Sequence, residues 1–199
     1  MRLLAHTAYR NGNLRVGGEV IAVPAGELDS DLANAWQALG VEYPRFHRAD
    51  RLSRLTMLGA TPFLQEGGIL AGVDKEHIGL VLMTNTGSMD GDTRYNDQLR
   101  ADGIASPALF VPTLPNIALG ELTIQHKLYG AGLCLAMARP QLNALRIAID
   151  VLRAQGMHHF ICGWADIFAA HANATFLAID ATDDGLEDIN TYQALFDTP

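Results

Sequence analysis

The chain has 199 residues, 49% of them apolar and 18% charged, with a formal charge of −8. That length holds one domain with a substantial core, and the composition excludes disorder. The negative balance excludes a nucleic-acid footprint, which needs a basic patch or stripe.

Two cysteines occur, Cys134 and Cys162, each inside an apolar run (AGLCLAM and HHFICGW). With no CxxC or Cys/His ladder around them, they read as buried thiols in strands rather than a zinc site or a disulfide framework. The opening MRLLAHTAYRNGN lacks the apolar core of a signal peptide. No stretch nears the ~18 apolar residues of a membrane span. The expectation is a cytoplasmic protein whose residues 1–199 form a single domain. No metal and no cofactor are expected, since GxxxxGK[ST], GxGxxG, HExxH and GxSxG are all missing.

Leu14 to Val23 (LRVGGEVIAV) is a β-branched apolar run, read as a strand after a turn at Asn11 to Asn13. Asp31 to Leu39 predicts a short helix closed by Gly40. Asp50 is placed as N-cap of RLSRLTMLGATPFL, with Leu52, Leu55 and Leu58 on one face, and Pro62 ends or kinks that helix. His77 to Met83 (HIGLVLM) has the pattern of a central strand buried on both faces. The polar segment TNTGSMDGD follows, then a helix from about Thr93 to Arg100. Loops at the ends of central strands carry sites, which makes Thr84, Asn85, Ser88 and Asp90 candidates. Turn chemistry and helix capping account for the same residues.

Pro107, Pro112 and Pro115 predict an extended loop over SPALFVPTLPN, and Asn116 is placed to cap a helix from Ile117 to Leu128. Gly132 to Ala138 (GLCLAMA) reads as another buried strand, and Pro140 suits the first turn of a helix from Gln141 to Gln155. In that helix Leu142, Leu145, Ile149 and Leu152 make one stripe, widened by Ala144, Ile147, Ala148 and Val151. It is expected to be covered on more than one side. His159 to Trp164 and Ala174 to Ile179 are the last strands. An acidic tail follows, with an amphipathic turn around Tyr192 to Phe196. The alternation of elements gives a layered α/β sheet.

A helix DRLSRLTMLGA, a strand GLVLM with its polar turn, the loop SPALFVPTLPN, a helix GELTIQHKLYG, a strand, and a helix running to LRAQGMHHFICGWAD follow in this order. The arrangement, over residues 45–180, resembles the N-terminal half of the β-ketoacyl synthases of the thiolase-like superfamily. TGSMDGDTRYNDQL resembles a small, synthase-like subgroup associated with aryl polyene and related pigment biosynthesis. The resemblance implies the layered half of that fold, a mixed five-stranded sheet with helices on both faces.

The departures decide what the resemblance implies for function. In an active synthase the strand runs into a turn that carries a nucleophilic cysteine, and the correspondence puts Arg139 there. Met137 to Gln141 contain no thiol and no hydroxyl, and nucleophilic catalysis needs one. Cys134 lies about five residues too early. The family's later half, which supplies catalytic histidines and a lysine, has no counterpart, and none of His126, His158, His159 and His171 sits in a matching motif. The implied protein is a non-catalytic, chain-length-factor-like pseudoenzyme of polyketide, polyene or fatty-acid-type biosynthesis. It forms a homodimer, or a heterodimer with a catalytic ketosynthase, with acyl carrier protein as a further partner. The interface or tunnel candidates are Phe110, Thr113, Leu114, Pro115, Asn116, Glu121, Cys134, Met137 and Arg139, with Arg139 pairing with Glu121 or a partner carboxylate.

Two alternatives stand beside it. One is an acyltransferase or thioesterase using Ser88, Ser106 or Thr113 with a nearby histidine. The other is a stand-alone carrier-protein module docking through Arg45, Arg48, Arg51 and Arg54, residues that also read as the solvated face of the helix after Asp50.

Overall fold

The computed structural model describes residues 1–104, 106–182 and 192–197. Its first strand begins earlier than the sequence suggests: Arg2–Arg10 is β1. Thr7 and Tyr9 are buried on it with Ala8 half-buried between them, an alternation that small residues hide from a hydropathy reading. Leu14 to Val23, expected as one strand, is a hairpin of β2 (Asn13–Val16) and β3 (Glu19–Ala22). Gly17 and Gly18 sit at φ 58° and 90°, a conformation open to glycine, and turn the run back on itself.

β4 (Ile78–Thr84), β5 (Gly132–Ala136), β6 (His159–Phe168) and β7 (His171–Asp180) complete one sheet in the order β3-β2-β1-β7-β6-β4-β5. The five-stranded expectation is therefore corrected to seven: one run splits into two strands, and β1 is added. β4 pairs in parallel with both β5 and β6, while β7 lies antiparallel between β6 and β1. The sheet is mixed, as expected.

The described helices are α1 (Leu28–Ala38), α2 (Arg51–Leu64), α3 (Met89–Asp102), α4 (Pro107–Phe110), α5 (Ile117–His126), α6 (Leu142–Arg153) and α7 (Gln193–Asp197). α1, α2 and α5 cover one face of the sheet, where Leu55, Leu58 and Phe63 meet Leu80, Leu82 and Phe176. α6 and α7 cover the other, where Leu145, Ile149 and Phe196 join the core of Val81, Met83, Phe160 and Leu177. β4 thus sends alternate side chains into both cores, as its unbroken apolar run predicts. No described helix is long and apolar enough to cross a membrane. The acidic stretch 183–191 lies outside the described residues.

Asp50 caps α2 as expected, accepting from the Ser53 N–H at 3.1 Å and from the Ser53 hydroxyl. Pro62 does not end the helix, which runs on to Leu64. Every residue from Leu52 to Leu64 is buried, because α2 is enclosed by the sheet on one side and by α1 and α5 on the others. This corrects two readings. The arginines after Asp50 are not a solvated face: Arg51 pairs with Asp29 at 2.6 Å and Asp90 at 3.2 Å, and Arg54 pairs with Asp29. And α6 is not the helix covered on several sides. It buries Leu142, Leu145, Ala148, Ile149 and Leu152 on one face, leaving Ile147 60% and Val151 46% exposed, since only the sheet side offers it a layer.

Two further expectations change. β5 is not buried on both faces but is an edge strand, with Leu133, Cys134 and Leu135 half-buried and β4 as its described partner. The proline-bracketed loop is not extended: Pro107 sits in the first turn of α4, where its missing N–H is tolerated, and Val111–Thr113 continues as a 3-10 turn.

Candidate functional site

The parallel strands β4, β5 and β6 end on the same side of the sheet, and the strand-to-helix turn 137–141 sits there between β5 and α6. Two sets of hydrogen bonds fix it. Met137 N donates to the Thr84 carbonyl at 2.9 Å, docking the turn on the end of β4. Asp166 of β6 then holds that end. One carboxylate oxygen accepts from the Asn85 N–H at 3.1 Å, the Thr86 N–H and hydroxyl at 2.7 Å each, and the Thr84 hydroxyl at 3.3 Å. Thr84 and Asn85 are therefore turn chemistry. Ser88 donates to the Thr113 carbonyl at 2.7 Å, and buried Asp90 holds Arg51, so these two are structural as well.

The turn itself offers no nucleophile. Arg139 is exposed and its side chain pairs with no described residue. The expected partner Glu121 is taken: it accepts from Arg45 at 2.6 Å and from the Tyr43 hydroxyl at 3.3 Å. Met137 is half-buried against the core beneath α6. Pro140 lines a cleft of about 380 Å³ together with Arg10, Trp164, His171 and Phe196.

Both thiols are wrong for catalysis. Burial pushes Cys134 and Cys162 above the ordinary thiol range, whereas a reactive cysteine needs its pKa lowered. Ser88 and Thr113 spend their hydroxyls on backbone carbonyls, Thr113 on that of Phe110 at 2.7 Å, and Ser106 makes no cap bond at the start of α4. None of the three meets an imidazole among the described residues. His77 and His158 stack on each other at 5.8 Å, at the opposite ends of β4 and β6.

Among the described residues one hydroxyl–imidazole contact exists, between two helices whose pairing no sequence motif marks. Thr61 on α2 and His126 on α5 lie 3.1 Å apart, with Gln125 donating to the same hydroxyl at 3.3 Å. Thr61 is fully buried in the last turn of α2, out of reach of a substrate, so the contact ties helices together.

The interface candidates fall into two groups. Phe110 and Leu114, each 59% exposed, lie on the segment from α3 to α5, with Met89, Ile104 and Val111 also exposed. Thr113 and Pro115 root that segment to the end of β4, Thr113 through Ser88 and Pro115 against Gly87. Asn116 is exposed and makes no side-chain cap bond. Cys134, Met137 and Arg139 follow the edge strand and its exit. The two groups approach the end of β4 through Thr113 and Pro115 on one side and Met137 on the other, and Glu121 lies apart, on α5.

No family model and no curated protein matches the sequence. Solved structures do. The fold is similar to the ishigamide ketosynthase/chain length factor, with a TM-score of 0.67 and 16% identity over 92% of this chain and 62% of that one. It is similar to a ketosynthase in complex with its chain length factor from Xenorhabdus doucetiae, at a TM-score of 0.58 and 12% identity over 92% of this chain and 81% of that one. A type II PKS acyl-carrier protein in complex with its ketosynthase matches at a TM-score of 0.66 and 12% identity, over 90% of this chain and 62% of that one. The chain therefore spans about three fifths of the first of these, and at such identities the likeness is one of fold.

Proposed function

We propose that this chain, which has the layered thiolase-like fold of ketosynthases and chain length factors, is a non-catalytic partner of a catalytic β-ketoacyl synthase. The observation that carries the reading is the turn 137–141. It is docked on β4 by the Met137–Thr84 hydrogen bond and leads into α6 in the manner of a nucleophile mount, yet it holds no thiol and no hydroxyl. In this reading residues 1–199 are one cytoplasmic domain, and Arg139 stands where the reactive cysteine of a catalytic relative stands.

Two surfaces fit a partner. β5 has an open edge, ready to extend a sheet across an interface. The segment bearing Phe110, Val111 and Leu114 exposes large apolar side chains, the kind of patch that marks an interaction site. The pair so formed belongs to polyene or fatty-acid-type biosynthesis, with this chain shaping the acyl pocket as a chain length factor does. Cys134 and Met137, half-buried along β5 and its exit on opposite faces of the sheet, are the candidates for that role. Acyl carrier protein is the further partner, and its acidic surface is recruited mainly by the synthase, because this chain carries a charge of −8 and three of its four clustered arginines are paired internally.

Co-purification with a catalytic ketosynthase, followed by mass measurement in solution, tests the proposal. The expected result is a stable one-to-one complex, weakened at least tenfold by Phe110→Asp with Leu114→Asp. A monodisperse monomer that binds no ketosynthase would overturn it.

A further inference from the structure

Between the root of α2 and the first turns of α3 and α4 lies a cavity of about 140 Å³, enough for a phosphate-sized group. The proposed partner role does not use it. Its charged lining is Arg48, Asp50, Arg54, Asp90 and Arg94, with His47 beside them.

The two carboxylates are already engaged. Asp50 caps α2 through Ser53, and Asp90 accepts from Arg51 at 3.2 Å. Of the arginines, Arg54 is engaged only in part. The Arg54 side chain is 10% exposed, and its one described ion pair is to Asp29, a carboxylate it shares with Arg51. Its Nε is buried without a hydrogen-bond partner. Arg48 and Arg94 are exposed, and their guanidinium groups pair with no described residue. A buried guanidinium with unused donors is a standing cost, and two more guanidiniums open on the same space.

We propose that this cavity binds a tetrahedral oxyanion of the phosphate type, with Arg54 at its floor and Arg48 and Arg94 at its rim. Guanidinium groups arriving from three separate elements suit a tetrahedral anion, which offers an oxygen to each, better than a planar carboxylate, which one fork satisfies. Asp50 and Asp90 also face the anion, and the Arg51 pairing at Asp90 offsets part of that repulsion. Because the walls belong both to α2 and to the α3–α4 segment, an occupant fastens that segment to the body of the protein.

The test uses the full chain, with inorganic phosphate as the probe and chloride at equal ionic strength as control. Saturable one-to-one binding by calorimetry, with a rise in melting temperature, is expected. Arg48→Ala with Arg94→Ala is expected to weaken it at least tenfold while leaving the phosphate-free melting temperature unchanged. The exposed rim pair is chosen because Arg54→Ala removes the ion pair that ties α2 to Asp29 and compromises folding. A parallel arm with glycerol phosphate separates the two sources of the group: equal binding points to a phosphoryl group on a larger molecule, and binding of inorganic phosphate alone to the free ion. No saturable binding above chloride, or binding unaltered in the double variant, overturns the site. Neither result depends on a ketosynthase being present.

Discussion

Phe176 on β7 lies against two glycines. A methyl group at Gly59 of α2 would stand 2.1 Å from its ring, and one at Gly163 of β6 2.3 Å. The ring fills the space those glycines leave, which is how α2 comes so close to the sheet. Gly59→Ala is therefore expected to cost about 1–3 kcal/mol by overpacking, and Phe176→Leu to recover part of it, as read from urea unfolding of the single and double variants. The three residues lie far apart along the chain, so nothing in the sequence links them. The absence of a thiol or hydroxyl from Met137 to Gln141 is legible, being a statement about residue types alone. Arg139→Cys is expected to react with iodoacetamide as an ordinary exposed thiol. It should form no acyl adduct with acyl thioesters in intact-mass measurements, since no described imidazole is hydrogen-bonded to the turn to activate a thiol there.

At the scale of elements, the contact between α2 and α5 depends on the protonation of one side chain. Burial, helped by the nearby Lys75 charge, lowers His126 from 6.5 to about 4, so it is neutral at pH 7 beside Thr61. Between those two values the unfolded chain takes up a proton that the folded one refuses. Stability therefore falls as pH drops from about 6.5 towards 4, by on the order of 2–3 kcal/mol. Chemical denaturation across that range is expected to show the fall, and His126→Gln to flatten it. β4 and the Asp50 cap could be read from the sequence because local pattern decides them. The relative burial of α2 and α6 could not. α2 carries Ser53, Thr56 and Thr61, which read as polar, yet it lies between layers. α6 is apolar nearly all round, yet it has the sheet on one side and leaves Ile147 and Val151 outward.

For the whole molecule, the sheet order has a kinetic consequence. β1 is paired along its length with β7, from Arg2 opposite Asp180 to Arg10 opposite Asn173. β1 thus finds this neighbour only after every residue between them has been made, since β7 ends at Asp180. β4 is in the same position, since β5 and β6 both follow it. Contacts of such large sequence separation bear the entropy of closing long loops before they stabilise anything, which makes folding slow. Until β7 is made, the β1–β3 strands have nothing to join them to β6 and β4, and helix α2 lacks the part of its cover that Phe176 supplies. Their apolar faces are then open to chaperones and to other nascent chains.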